Sequence, residues 1–158
     1  MREHYVVTVD HGHLRIYIER HLPGQRAPAL DPVEAMDFPL GKKSFADRET
    51  DMAGRFASSK HQAMAPGSPT ARTGMSIDER LPMQREESRR RAKELAAEID
   101  AFFQPRRDAS WDFAAGPELN GAVLNLLSPA VRRRVRRSLA KDLVNQRSDE
   151  VRAHFAGA

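Results

Sequence analysis

From Tyr5 to Ile18 apolar and polar positions alternate around a pause at His11-Gly12. A two-residue turn at that pause sets Val9 against Leu14, Val7 against Ile16 and Tyr5 against Ile18, all on one sheet face. The other face receives Asp10 with His13, Thr8 with Arg15, Val6 with Tyr17 and His4 with Glu19. A slip of one residue would carry the apolar set to the wrong face, so the register is strongly specified. Gly12 suits a positive φ, and histidine tolerates one at the preceding position. The Pro/Gly-rich "RHLPGQRAPALDP" reads as a loop, and a third strand is expected over residues 33–38, ended by Pro39.

The period then changes from two to 3.6. Ala92, Leu95, Ala96, Ile99, Phe102 and Phe103 form the buried stripe of a long helix that Pro105 stops. Ser76 and Glu79 have capping-box spacing, but Pro82 is expected in the first turn. Arg85, Arg89, Arg90, Arg91 and Lys93 interleave with Glu86, Glu87 and Glu94, the pattern of a solvated face. "WDFAA", residues 111–115, is a short strand closed by Gly116-Pro117, with Trp111 in the core. The next helix, 118–127, should bury Leu119, Ala122, Val123 and Leu126. Ser128 and Pro129 mark the N-cap and first position of a further helix, in which Val131, Val135 and Leu139 share a face. Ser148 caps a last helix over 149–155.

That order predicts a three-layer α/β domain spanning residues 1–158: a mixed four- to five-stranded sheet opening with an antiparallel β-hairpin, helices on both faces. The first three strands should be antiparallel, with the Trp111 strand returning beside the first.

Residues 41–76 break the pattern. They contain no Leu, Ile, Val, Trp or Tyr; their apolar content is Phe45, Phe56, three methionines and several alanines. Such a segment cannot build a core of its own, and a loop this long inside a compact domain is expected to be functional.

Composition changes the picture in three places. The absence of cysteine removes disulfides, thiolate metal sites and cysteine nucleophiles. No apolar run approaches the length of a membrane span, and the N-terminus lacks a signal-peptide pattern, so a cytoplasmic protein without membrane contact is expected. The net charge of +4 is localised: residues 125–141 hold five arginines and one lysine with no acid.

Four stretches, "VVTVDHGHLRIYI", "GRFASSKHQAMAPGSP", "ELAAEIDAFF" and "LSPAVRRRVRRSLAKDL", together resemble the bacterial host attachment family, proteins required for attachment to host cells. The element order is also similar to the middle domain of archaeal and eukaryotic peptide-chain release factors. In that domain the corresponding loop carries a Gly-Gly-Gln motif that promotes peptidyl-tRNA hydrolysis. The loop here has no Gly-Gly-Gln, and Gln62 is its one glutamine.

Two groups are candidates for binding RNA. Arg132, Arg133, Arg136 and Arg137, with Arg134, would cover about 200° of a helix opposite Val131, Val135 and Leu139. Arginine forks match phosphate oxygens, and the lack of interleaved aromatics makes the expected binding shape-led and salt-sensitive. Arg55, Lys60, His61 and Gln62 would bring the loop to the same RNA. Asp10, His11 and His13 are read as a hairpin turn rather than a metal or catalytic site, and Asp10, Asp112 and Glu118 are too few and too scattered for a Mg²⁺ nuclease. The expectation is a non-enzymatic binding module, without cofactor or metal, docking on tRNA or the ribosome. The alternatives are an attachment protein acting through protein partners and a hydrolase of peptidyl-tRNA or nucleic acid.

Overall fold

The computed structural model describes residues 2–38 and 77–158. Five strands form one mixed sheet in the order β3-β2-β1-β4-β5. They are β1 (His4–Val9), β2 (His13–Arg20), β3 (Ala29–Asp37), β4 (Ser110–Ala115) and β5 (Val135–Leu139). β1, β2 and β3 are antiparallel neighbours, while β4 lies parallel to β1 and β5 parallel to β4. The hairpin has the expected register: Tyr5 opposite Ile18, Val7 opposite Ile16, Val9 opposite Leu14.

Helices cover both faces. On one side α1 (Ile77–Phe103) and α2 (Pro117–Leu126) close over Tyr5, Val7, Val9, Leu14, Ile16, Trp111 and Phe113. All six residues of the expected α1 stripe are buried. Phe103 stacks on Trp111 at 4.9 Å, and Tyr5 meets Phe102 and Phe103 edge-on at 5.4 and 5.7 Å. Burial, reinforced by the hydrogen bond that its hydroxyl donates to Glu3 (2.6 Å), pushes the Tyr5 phenol above its ordinary pKa. On the other side α4 (Ser148–Ala156) sets Val151 and Phe155 against Val6, Tyr17, Leu30, Ala114 and Leu143.

The arginine-rich segment is the main departure from expectation. Its helix, α3 (Pro129–Arg132), lasts one turn, and the chain then enters β5. Two forces oppose the long helix. It would stack Arg132 on Arg136 and Arg133 on Arg137, like charges at i, i+4. It would also leave β4, whose Trp111, Phe113, Ala114 and Ala115 are fully buried, without a partner on its second edge. The spacing of Val135 and Leu139 misleads because the ladder skips Arg136: Trp111 faces Val135 and Asp112 faces Arg137. That bulge reverses the alternation, so Val135 packs under the α1 side and Leu139 under the α4 side.

Smaller differences have equally local causes. β3 begins at Ala29, before the expected 33, because an edge strand tolerates Pro32. There too the ladder skips a residue: Ile16 faces Glu34 and Tyr17 faces Pro32, leaving Val33 exposed. α1 starts at Ile77, so Pro82 lies inside it rather than in its first turn. In α2, Leu126 is exposed and Leu127, one residue on, is buried in its place. Ser128 is the N-cap of α3, but its hydroxyl donates to Asp100 of α1 (2.9 Å) rather than capping the turn. Ser148 is the first residue of α4, and Arg147 is its N-cap, with a backbone N–H that donates to Glu150 (2.9 Å).

Between β2 and β3 the chain turns at Leu22-Pro23-Gly24-Gln25, closed by the Gln25 N–H on the Leu22 carbonyl (3.2 Å). Proline second and glycine third, with φ +83° at Gly24, define a type II turn. A Cβ at Gly24 would meet nothing within 4 Å. Gly24→Ala therefore tests backbone strain alone and should cost about 1 kcal/mol, read as a lower urea midpoint at unchanged m-value.

Candidate functional site

The hairpin tip resolves as a turn. Asp10 Oδ1 accepts the Gly12 N–H (2.7 Å), and His13 Nδ1 lies 2.9 Å from the same oxygen. Neither His11 nor Gly12 takes the positive φ expected of the turn; the Asp10 carboxylate holds it instead. His13 Nε2 and Arg15 both approach Asp37 on β3, at 4.0 and 2.8 Å. Among the described residues no three metal-binding side chains converge. Asp112 sits opposite Val6 in the β1–β4 ladder, well below Asp10, so these carboxylates do not meet.

The opposite end of the sheet is different. There β1 and β4 begin, β2 ends, and the turn after α1 and the turn after α3 come together. An open cleft of about 800 Å³ lies between them. Among the described residues five arginines line it, Arg2, Arg107, Arg133, Arg134 and Arg136, against two acids, Glu19 and Asp108. His4, His21 and Ser110 complete its polar wall. Among the described residues no Phe, Tyr or Trp side chain lines it.

The five arginines of the 125–141 segment take different roles. Arg133, the C-cap of α3, and Arg136, the bulged residue of β5, are exposed and reach the cleft. Arg132 is exposed on α3, outside the cleft lining. Arg137 donates to the Phe155 carbonyl at the C-terminal end of α4, where a cation complements the helix dipole. Arg134 donates to the carbonyls of Ala130 (3.0 Å), Phe103 (3.0 Å) and Arg106. So two of the four predicted arginines meet at one site. Arg55, Lys60, His61 and Gln62 lie outside the described residues.

Sequence reasoning missed Arg2, Arg107 and His21. They are remote in the chain, and only the return of β4 beside β1 gathers them. That return was itself expected, so the end of the sheet holding them could have been deduced.

His4 also has a neighbour the hairpin alone does not show. Across the parallel ladder it faces Ser110, and Asp112 follows two residues later on the same face of β4. His4 Nδ1 lies 3.0 Å from Ser110 Oγ, and His4 Nε2 lies 3.3 Å from Asp112 Oδ2. The His4 and Asp112 side chains are 13% and 7% exposed.

A family model described as "Protein required for attachment to host cells" matches residues 5–155. No curated protein matches the chain.

Proposed function

The chain belongs to the family of proteins required for attachment to host cells, and from that premise we propose that it is an RNA-docking module. Its cationic cleft would take the phosphate backbone of a folded RNA, tRNA or ribosomal. The observation that carries this reading is the convergence of five arginines from three separate parts of the chain on one open groove. Like charges gathered in this way repel one another, and an anion laid between them removes that cost. Arg133 and Arg136 present planar forks suited to phosphate oxygens. With no aromatic platform among the described residues of the groove, recognition rests on backbone shape and charge rather than on base stacking.

Fluorescence anisotropy of labelled tRNA, titrated at several salt concentrations, tests this. The double variant Arg133→Glu/Arg136→Glu should bind at least about tenfold more weakly, and its log–log salt slope should flatten by about one for each lost contact. Co-sedimentation with ribosomes should fall in parallel. Equal affinity of the two proteins would remove the cleft from the mechanism. Failure of the unaltered chain to bind tRNA or ribosomes at low salt would refute docking and leave attachment through protein partners as the reading to pursue.

A further inference from the structure

Ser110, His4 and Asp112 stand in a continuous row, a hydrogen bond joining Ser110 to His4 (3.0 Å) and an ion-pair contact joining His4 to Asp112 (3.3 Å), and its serine end opens into the cleft. We propose that this row is a nucleophilic relay, and that the cleft hydrolyses carboxylic esters of anionic molecules. The inference stands on these three side chains and not on RNA docking.

The geometry assigns each role. Asp112 is nearly enclosed, and its Oδ2 lies 3.3 Å from His4 Nε2, so in the relay it is the carboxylate that orients the ring, with the ring proton on Nε2. Nδ1 is thereby left as an acceptor, and the Ser110 hydroxyl is the group beside it. The two ring nitrogens are exchanged relative to the usual Ser-His-Asp arrangement, but the requirement is the same: nucleophile against base, base oriented by a third group. β-strand alternation supplies the alignment. Ser110 and Asp112, two apart on β4, share a face and flank the His4 ring arriving from β1.

The steps balance without a cofactor. Ser110 Oγ attacks the ester carbonyl carbon while its proton passes to His4 Nδ1, and Asp112 faces the positive charge that develops on the ring. The tetrahedral oxyanion collapses, the C–O bond to the alcohol breaks, and the leaving oxygen takes the proton from Nδ1. Water then adds to the acyl-serine by the same route, releasing the acid and restoring Ser110. The backbone N–H groups of Ser110 and Trp111 are committed to the Glu3 and Arg134 carbonyls (both 3.1 Å). Stabilisation of the oxyanion therefore falls to a guanidinium of the cleft, and the same charges select an anionic substrate.

Two readouts test the proposal on the full chain. A fluorophosphonate probe should give a single adduct, mapped by peptide mass spectrometry to Ser110 and missing in Ser110→Ala. Hydrolysis of the p-nitrophenyl monoester of glutarate should exceed that of p-nitrophenyl acetate at low salt. His4→Gln should slow labelling by at least about 10²-fold. Circular dichroism melts of each variant separate lost chemistry from lost folding, and Ser110→Ala, which removes one oxygen at the cleft wall, is expected to melt as the unaltered chain does. No adduct on Ser110 in the natively folded protein, or equal labelling rates with and without His4, would overturn the relay. Either result leaves tRNA affinity untouched, and loss of tRNA binding with labelling intact would refute docking alone.

Discussion

Trp111→Ala is expected to lose about 3–5 kcal/mol of folding stability, enough to unfold many domains of this size. Trp111 is fully buried, stacked on Phe103 and edge-on to Phe113 (5.8 Å). Its indole N–H donates to the Val131 carbonyl (3.2 Å), tying β4 to α3. Alanine would leave a cavity between α1 and the sheet and free the α3 turn at once. Trp111→Phe separates the two contributions: it keeps a ring against Phe103 but gives up the hydrogen bond and some volume, and should cost about 1–2 kcal/mol. Urea unfolding followed by circular dichroism measures both. A Trp111→Ala loss below about 1 kcal/mol would mean that the aromatic cluster is not the centre of the core.

Arg134→Ala should cost about 2–3 kcal/mol, whereas Arg132→Ala and Arg133→Ala stay within about 0.5 kcal/mol. Arginines close in sequence differ this much because one guanidinium donates from each of its three nitrogens to a backbone carbonyl. Arg134 binds the carbonyls of Phe103, the last residue of α1, and of Arg106 in the turn after it, each of which also accepts one backbone N–H, and that of Ala130 as well. Its guanidinium lies 5.9 Å from the Phe103 ring centroid. Removal strips a charged donor from three acceptors together. Urea melts monitored by Trp111 fluorescence would show the contrast, and equal losses across the three variants would contradict it.

The hairpin and the α1 stripe were legible because each rests on one unambiguous period. Six apolar residues on one face and polar partners on the other leave a single register for β1 and β2. Ala92 to Phe103 repeats at helical spacing with no competing alternation. The 129–139 segment had no such clarity. Val131, Val135 and Leu139 are four apart, which fits a helix, and a strand interrupted by a bulge reads the same way. What decides between them is the open side of β4, which is a tertiary fact. The site was half legible for a related reason. Arg133 and Arg136 stand in one conspicuous run, but Arg2, Arg107 and His21 become neighbours only through strand order. His4 was matched with Glu19 because β2 was its one known neighbour; β4 brought Ser110 and Asp112.

The two outer strands of the sheet carry opposite charge. β3 has Asp31, Glu34 and Asp37 and no base, while β5 has Arg136 and Arg137 and no acid. By charge alone, the β5 side of one molecule would attract the β3 side of the next, a head-to-tail contact that grows into a filament wherever its rotation does not close a ring. The backbone denies it. Val33 and Arg136 each interrupt the ladder, and Pro32 has no N–H to offer, so neither rim presents the unbroken row of donors and acceptors that a neighbouring sheet would need. Two irregularities of one residue each thus make both rims of the described sheet poor templates for an added strand, whatever the charges across them favour.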